Sequence, residues 1–427
     1  MQKVESHIIK HNNPLFKEID KLSFLSKNLY NKCLYEYLEA LKNNVYHNES
    51  TLHYLLKNHE DYIKLPRKVS SSIIIQTIKN WKSYYKAVKS YNNNPENFKL
   101  KPKQPFFKHK TKGRNVLIYT NQAFSKKIFN KTGKIKLSQS NIEIKTKITD
   151  FKIINQVRIV PKYGYYVIEI VYTILDIQPL INNDTYLSID LGVNNLCAVT
   201  SNVINPFLIN GKPLKSINQY YNKKKSGLKS KLSYKKDSNN NFIMNNLGKK
   251  IQNKTSKRIE NLSLKRKNKI DNYLYKSSKL IINKAIEHNI NTIIVGKNKQ
   301  QKQKINIGKT NNQNFVDIPL SRFINMLNYK CEEKGLNLIQ QEESYTSKAS
   351  FLSMDKIPIY NKSGNESIIF SGYRKYRGLY HDKRSNCNIN ADINGSYNIL
   401  RKAIPNVFVD GIEGVRVHPN IINIKKC

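Results

Sequence analysis

Residues 186–200 constrain the fold of this chain more than any other stretch. Tyr186, Leu187, Ser188 and Ile189 form a short apolar run that ends in Asp190. A turn of Gly192, Val193, Asn194 and Asn195 follows, and then a second apolar run over residues 196–200. Runs of this length and character, bounded by a Gly-Asn turn, predict two neighbouring strands. Two strands alone are not a stable unit, so the rest of the chain must extend and cover them. Residues 212–290 predict two long basic helices around a polar loop at 237–246. Residues 292–295 predict a buried strand, 319–333 a helix, and 336–340 another strand that runs into Glu342 and Glu343. After Asp392, residues 395–402 predict a short helix. This order is a mixed α/β organisation around a central sheet.

The first part of the chain reads differently. After Pro14, Leu15, Ile19, Leu22, Leu29, Cys33, Tyr37 and Leu41 recur at helical spacing. After Pro66, Val69, Ile73, Ile74, Ile78, Trp81, Tyr84, Tyr85 and Val88 do the same. Trp81, the only tryptophan, sits inside that apolar spacing and is expected in the core. Asn92, Asn93, Asn94 and Pro95 predict a break. Beyond it, strand-like runs occur at 116–119, 142–144, 156–160 and 165–174. The last two flank Pro161, Lys162, Tyr163 and Gly164 and predict a hairpin. The expectation is a small β domain carrying a helical insert.

Charge narrows the partners. The chain has 74 Lys and Arg against 30 Asp and Glu, a formal net charge of +44. A coding bias toward Lys and Asn would enrich Asp and Glu equally, so the excess calls for a polyanion. A cationic membrane binder is disfavoured, because the charge is spread along the whole chain. The five cysteines (Cys33, Cys197, Cys331, Cys387 and Cys427) include no CxxC pair. That spacing argues against a disulfide framework and a tetrahedral zinc site. No apolar targeting segment opens the sequence and no apolar run is long enough to span a bilayer. The expectation is a cytoplasmic protein, nucleoid-associated when bound to DNA, with an oligomeric state that the sequence does not set.

Asp190 and Asp392 carry the chemistry. Hard oxygen ligands clustered on a basic body suit divalent cations and phosphodiester cleavage. Asp190 alone equally suits the start of a turn. Asp392 lies in the run Asn390, Ala391, Asp392, Ile393, Asn394, Gly395 and Ser396.

These two segments together resemble the split RuvC nuclease of the TnpB (OrfB) transposon-associated proteins, relatives of the small type V CRISPR effectors. Further matching stretches are residues 213–222, 265–268, 314–319 and 345–348. The resemblance implies an RNA-guided DNA endonuclease encoded by an insertion-sequence element. It implies two Mg²⁺ ions, a guide RNA from the protein's own locus and a double-stranded DNA target. It further implies a wedge-like, β-barrel-like domain (1–12 plus 92–182), a helical recognition insert (13–91) and a split RNase H-like RuvC domain (183–427).

The sequence departs from the family pattern in two places. The strand at 292–295 should end in a catalytic Glu, but Gly296 stands there. Glu343, after the next strand, is the expected replacement, so Asp190, Glu343 and Asp392 form the expected metal-ligand set. Neighbouring residues on an extended chain face opposite ways, so Glu342 is expected to point elsewhere. The family's four-cysteine zinc ribbon is reduced to Cys387, so the lid around 345–390 is expected to hold no zinc. Nucleic-acid contacts are expected from Lys103, Phe106, Phe107, Lys108, Lys110 and Arg114, within the basic aromatic stretch 99–114. On the nuclease side they are expected from Lys223, Lys224, Arg266, Lys348, Arg374 and Arg377. The main alternative is a nuclease-dead, RNA-guided DNA-binding repressor, favoured by Gly296 and disfavoured by the intact Asp pair. A guide-independent junction resolvase and a strand-transferring transposase rank lower.

Overall fold

The computed structural model describes residues 1–427 apart from 99, 176, 238, 246, 254, 299–316, 360–368, 410, 413–416 and 425–427. Lys99, the matching residues 314–316 and Cys427 therefore lie outside the described residues. The chain divides into two compact units, Met1–Leu175 and Asp176–Cys427.

In the first unit, β1 (Gln2–Lys10) leads into the long helix α1 (Phe16–Lys42). Two short helices, α2 (Glu49–Leu56) and α3 (Glu60–Ile63), precede the equally long α4 (Arg67–Asn93). Asn48 opens α2 by accepting from the Thr51 amide, while the Thr51 hydroxyl accepts from the Asn48 amide. Then come β2 (Leu117–Thr120), α5 (Lys126–Thr132), β3 (Lys134–Lys136), β4 (Glu143–Lys145), β5 (Ile154–Lys162) and β6 (Tyr165–Thr173). β1, β6, β5 and β2 form an antiparallel sheet in that order. The apolar stripes of α1 and α4 and one face of this sheet share a single core. Trp81 is 2% exposed and stacks on Tyr37 at 4.8 Å. The hairpin expected at 156–174 is β5–β6. Strand β1 was not expected as such: its exposed face carries Val4 and Ile8, so the apolar residues mark the wrong side.

The second unit is built on a six-stranded sheet. Its strands are β7 (Tyr186–Leu191), β8 (Asn195–Ser201), β9 (Phe207–Asn210), β10 (Thr292–Gly296), β11 (Asn337–Gln341) and β15 (Asn420–Ile422). The order is β11-β10-β7-β8-β9-β15, with β10 parallel to β7 and to β11, and with β7, β8 and β9 antiparallel. Helices α6 (Lys212–Ser230), α7 (Lys257–Glu287) and α8 (Leu320–Glu332) precede the lid strands β12 (Gly372–Tyr376), β13 (Leu379–Asp382) and β14 (Cys387–Asn390). Helix α9 (Ala391–Ala403) follows them. The segment between α6 and α7 is longer than the expected loop and is held by isolated pairings of Tyr234 with Gln252, Lys236 with Phe242, and Met244 with Lys250.

Strand alternation sorts this sheet's side chains. Leu187, Ile189, Leu191, Ile293 and Val295 pack with α7 and α8. Tyr186, Ala198, Leu208 and Ile294 pack with Ile393, Tyr397, Ile399 and Leu400 of α9. By the same period of two, Ser188, Asp190 and Gly296 belong to the α9 side. The helix expected at 395–402 in fact begins at Ala391, so Asp392 sits in its first turn. The reason is local: the Asn390 side chain caps the helix by accepting from the amides of Asp392 and Ile393, at 3.0 and 3.2 Å.

Candidate acidic site and nucleic-acid surface

Helix α9 is fixed to the sheet by buried hydroxyls. Ser188 Oγ donates to the Ser396 carbonyl at 2.6 Å. The Ser188, Thr200 and Ser396 hydroxyls also hydrogen-bond one another at 2.7–3.0 Å. This seam brings Gly395 against Asp190. A β-carbon on Gly395 would stand 2.9 Å from Asp190 Oδ2, so a larger residue would push the carboxylate aside. Asp392 is held from the other side, where Asn195 Nδ2 donates to its Oδ2 at 2.8 Å.

Gly296 continues the β10 register one residue past the Val295–Ile189 pair and so stands level with Asp190. A β-carbon there would lie 2.5 Å from Ile399 Cδ1 and 2.6 Å from Glu343 Oε2. The Glu343 carboxylate thus fills the space into which a side chain at 296 would grow. Glu343 reaches it because β11 lies at the sheet edge beside β10 and the chain continues past Gln341. Asn298 braces Glu343, donating to its Oε1 at 3.3 Å and accepting from its amide at 3.2 Å. Glu342 goes elsewhere: Lys402 Nζ, only 7% exposed at the side chain, donates to its Oε2 at 2.6 Å. The Ser344 amide donates to Glu342 Oε1.

The electrostatics separate the two glutamates. Burial works to raise the Glu342 carboxyl, but the bonds from Lys402 and Ser344 prevail and hold it below its usual range. Burial, reinforced by the Glu342 charge and only partly opposed by Lys402, raises Glu343 to about 7. Asp190 is raised well above the usual carboxylate range, by burial first and then by the charges of Glu343 and Asp392, with Arg374 opposing. A buried carboxyl such as Asp190, raised further by the charges of Glu343 and Asp392, is what a divalent cation relieves.

Among the described residues, no three Asp, Glu, His or Cys side chains close around one ion position as placed. The chemistry of the donor set nonetheless suits a hard cation. It is all oxygen, it is mutually repelling, and Asn195, Asn298 and the glycines hold its members from behind. Asn195, Asn298 and Lys402 were not expected at the site. Asn195 reads as a turn residue, and nothing in the spacing links Asn298 or Lys402 to the glutamates.

The lid is tied down by its own polar groups. Asp382 is fully buried and accepts from the hydroxyls of Ser350, Ser353 and Ser385 and from the Ser385 amide. Asp355 accepts from the Ser350 and Ser371 amides. On α9, Asn394 and Asn398 donate to the Ala349 carbonyl and Asn398 also to that of Thr346.

The expected nucleic-acid residues divide into exposed and engaged ones. Lys103, Phe106, Phe107, Lys110, Lys223, Lys224, Lys348, Arg374 and Arg377 are exposed. Arg114 is engaged with Asp20 through two bonds of 2.7 and 2.8 Å. Arg266 donates to Asn218 at 2.7 Å and to the Asp317 carbonyl at 3.1 Å, and packs on the Tyr221 ring. Lys108 is half-buried, with Nζ 4.9 Å from the Tyr30 ring centre. Arg114 therefore ties the extended segment before β2 to α1, and Arg266 ties α7 to α6, roles their position in basic runs does not reveal.

The fold and site define a mixed α/β protein with an acidic cluster against an interior helix. Residues 169–302 match the OrfB family of IS605, described as "probable transposase", and residues 321–399 match the Cas12f1-like TNB domain. Together these matches support a TnpB-type protein related to the type V effectors. No curated protein sequence matches the chain. Among solved structures, a Cas12f1 bound to sgRNA and target DNA is 13% identical, with 93% of this chain and 98% of that chain covered and a TM-score of 0.35. The C2c1 of Alicyclobacillus acidoterrestris with single-guide RNA is 8% identical, with 91% and 70% covered and a TM-score of 0.38. Likenesses this distant carry no residue roles. No helix among the described residues is long and apolar enough to cross a membrane.

Proposed function

We propose that this protein is an RNA-guided DNA endonuclease of the insertion-sequence kind. A guide RNA from its own locus and a double-stranded DNA target are its partners. Residues 183–427 act as a split RuvC domain of RNase H type. Residues 1–12 with 92–182 act as a wedge-like domain, and 13–91 as its helical recognition insert. Asp190, Glu343 and Asp392 hold two Mg²⁺ ions, which when bound supply Lewis-acid stabilisation of the phosphate and activation of water. The chain's own residues position that chemistry. Asn195 orients Asp392, Asn298 orients Glu343, and Lys402 draws Glu342 aside so that one glutamate faces the site. The basic surface neutralises phosphates and steers the polyanion inward.

One observation carries the reading: the Glu343 carboxylate occupies the space beside Gly296, on the face of Asp190 and α9. On this reading the missing glutamate is supplied from just past the end of the neighbouring strand. The test is plasmid cleavage by protein purified with RNA transcribed from its locus, against a target library with randomised flanks, in Mg²⁺ and in EDTA. Mg²⁺-dependent cutting lost in Glu343→Ala supports the reading. Guide-directed binding without cutting makes Gly296 decisive and assigns a repressor.

A further inference from the structure

The first unit holds a cavity of about 400 Å³ that the cleavage chemistry does not use. It lies between Tyr30 of α1, Asn80 and Tyr84 of α4, and the extended segment carrying Lys103, Phe106 and Lys108. That volume falls within the roughly 300–1,000 Å³ typical of small-ligand sites.

The extended segment is anchored from Lys108 onward, although it has no regular secondary structure. Asn31 pairs with both backbone groups of Lys108, donating to its carbonyl and accepting from its amide at 2.9 Å each. Lys27 Nζ donates to the Lys110 carbonyl at 2.6 Å. Further along, the Asn115 amide donates to the Ser23 carbonyl at 3.0 Å, and the Ser23 and Ser26 hydroxyls donate to the carbonyls of Asn115 and Val116. The segment is zipped along α1 over several residues. Phe106, two residues before the first of these bonds, is 79% exposed. A large ring left in water forgoes apolar burial that a stacked partner would restore. A planar base is the partner such a ring stacks on best.

We propose that this cavity binds one unstacked nucleotide of a single strand, the base stacking on Phe106 and its phosphate drawn by Lys103 and Lys108. The chemistry of the lining supports it: an aromatic face for the base, amide groups at Asn80 and Gln104 for a base edge, and ammonium groups at the mouth. Lys108 is half-buried, and burial lowers its proton affinity; an approaching phosphate would oppose that shift. The inference deepens the proposed role of the first unit in gripping nucleic acid, and it does not depend on cutting.

The test uses the full chain in EDTA, so that no strand is cut. Short single-stranded oligonucleotides carry one 2-aminopurine, scanned along the strand, in RNA and DNA forms. Stacking on Phe106 quenches the fluorescence at one position. Phe106→Ala should abolish that quenching and weaken binding about tenfold or more, the loss of one base–aromatic stack. Phe106→Trp should keep both. Lys103→Ala should weaken binding and lower its salt dependence while leaving the quenching in place. The form that is quenched, RNA or DNA, names the strand that supplies the nucleotide. Equal quenching in wild type and Phe106→Ala, or no position quenched by the wild type, overturns the proposal. Because Phe106 is exposed, its loss leaves the fold intact. A protein that binds here but does not cut plasmid would separate this site from the nuclease reading.

Discussion

Gly296 is the position where the account can be tested without any activity assay. Replacing it with alanine puts a methyl 2.5 Å from Ile399 Cδ1 and 2.6 Å from Glu343 Oε2. Both separations are far inside van der Waals contact, so the core must give way. Overpacking of this kind costs about 1–3 kcal/mol. The backbone entropy lost by the unfolded chain returns about 0.4–1 kcal/mol, and the net destabilisation should be about 1–2 kcal/mol. In a Glu343→Ala background one of the two obstacles is gone. Ile399 Cδ1 is the end of a flexible side chain and can rotate, so the same substitution should cost much less. The four proteins form a double-mutant cycle, read by urea denaturation in EDTA so that bound metal does not enter. The predicted coupling is about 1 kcal/mol, within the range of about 0.5–3 kcal/mol seen for residues in contact. Additivity within about 0.5 kcal/mol would show that the Glu343 carboxylate does not occupy the space beside Gly296, and the relocated ligand would fall with it.

Other consequences follow from the same geometry. Gly395→Ala should push Asp190 out of line and lower the cleavage rate about a hundredfold, the usual effect of a displacement near 1 Å, with guide binding unchanged in a gel-shift assay. Glu342→Ala should cut DNA normally yet lose about 1–3 kcal/mol of stability, because the nearly buried Lys402 is left without its carboxylate; a fall in cleavage as large as that of Glu343→Ala would reverse the two roles. Lys330 is 6% exposed, donates to the Tyr275 carbonyl and Ser278 hydroxyl, and is lowered by burial to about 8. Its unfolded form binds the proton more tightly. The cost of burying the charge is therefore complete below pH 8 and fades as pH rises toward 10.5. Lys330→Met should be relatively more stable at pH 7 than at pH 10, and a pH-independent difference in denaturation midpoint would refute this.

Much of the second unit was legible because its signals are local. The alternation of Leu187, Ile189 and Leu191 against Ser188 and Asp190 places Asp190 on the α9 face directly. The motif around Asp392 explains itself once α9 is seen: Asn390 caps, Gly395 makes room for Asp190, and Ser396 bonds Ser188. The expectation that Glu342 and Glu343 face apart follows from strand geometry. Which of them turns inward is decided by Lys402, sixty residues away in sequence, and no spacing rule reveals that. The misses have similar causes. The exposed Val4 and Ile8 obscure β1, and β9 is a continuous apolar run without alternation. The lid is organised by Ser–Asp hydrogen bonds, which leave no signature like a cysteine pair. The protein partners of Arg114 and Arg266 were not legible either, because charge runs do not show which cations have acidic or amide partners.

The most direct measurement is a swap at the acidic site. Plasmid cleavage in Mg²⁺ would be compared for wild type, Asp190→Ala, Glu343→Ala and the double variant Gly296→Glu with Glu343→Ala, each loaded with RNA from its own locus. The account predicts no cutting by Asp190→Ala or Glu343→Ala, and partial recovery when the carboxylate returns at position 296 in the space that Glu343 vacates. Full cutting by Glu343→Ala would contradict it, because the third carboxylate would then come from elsewhere.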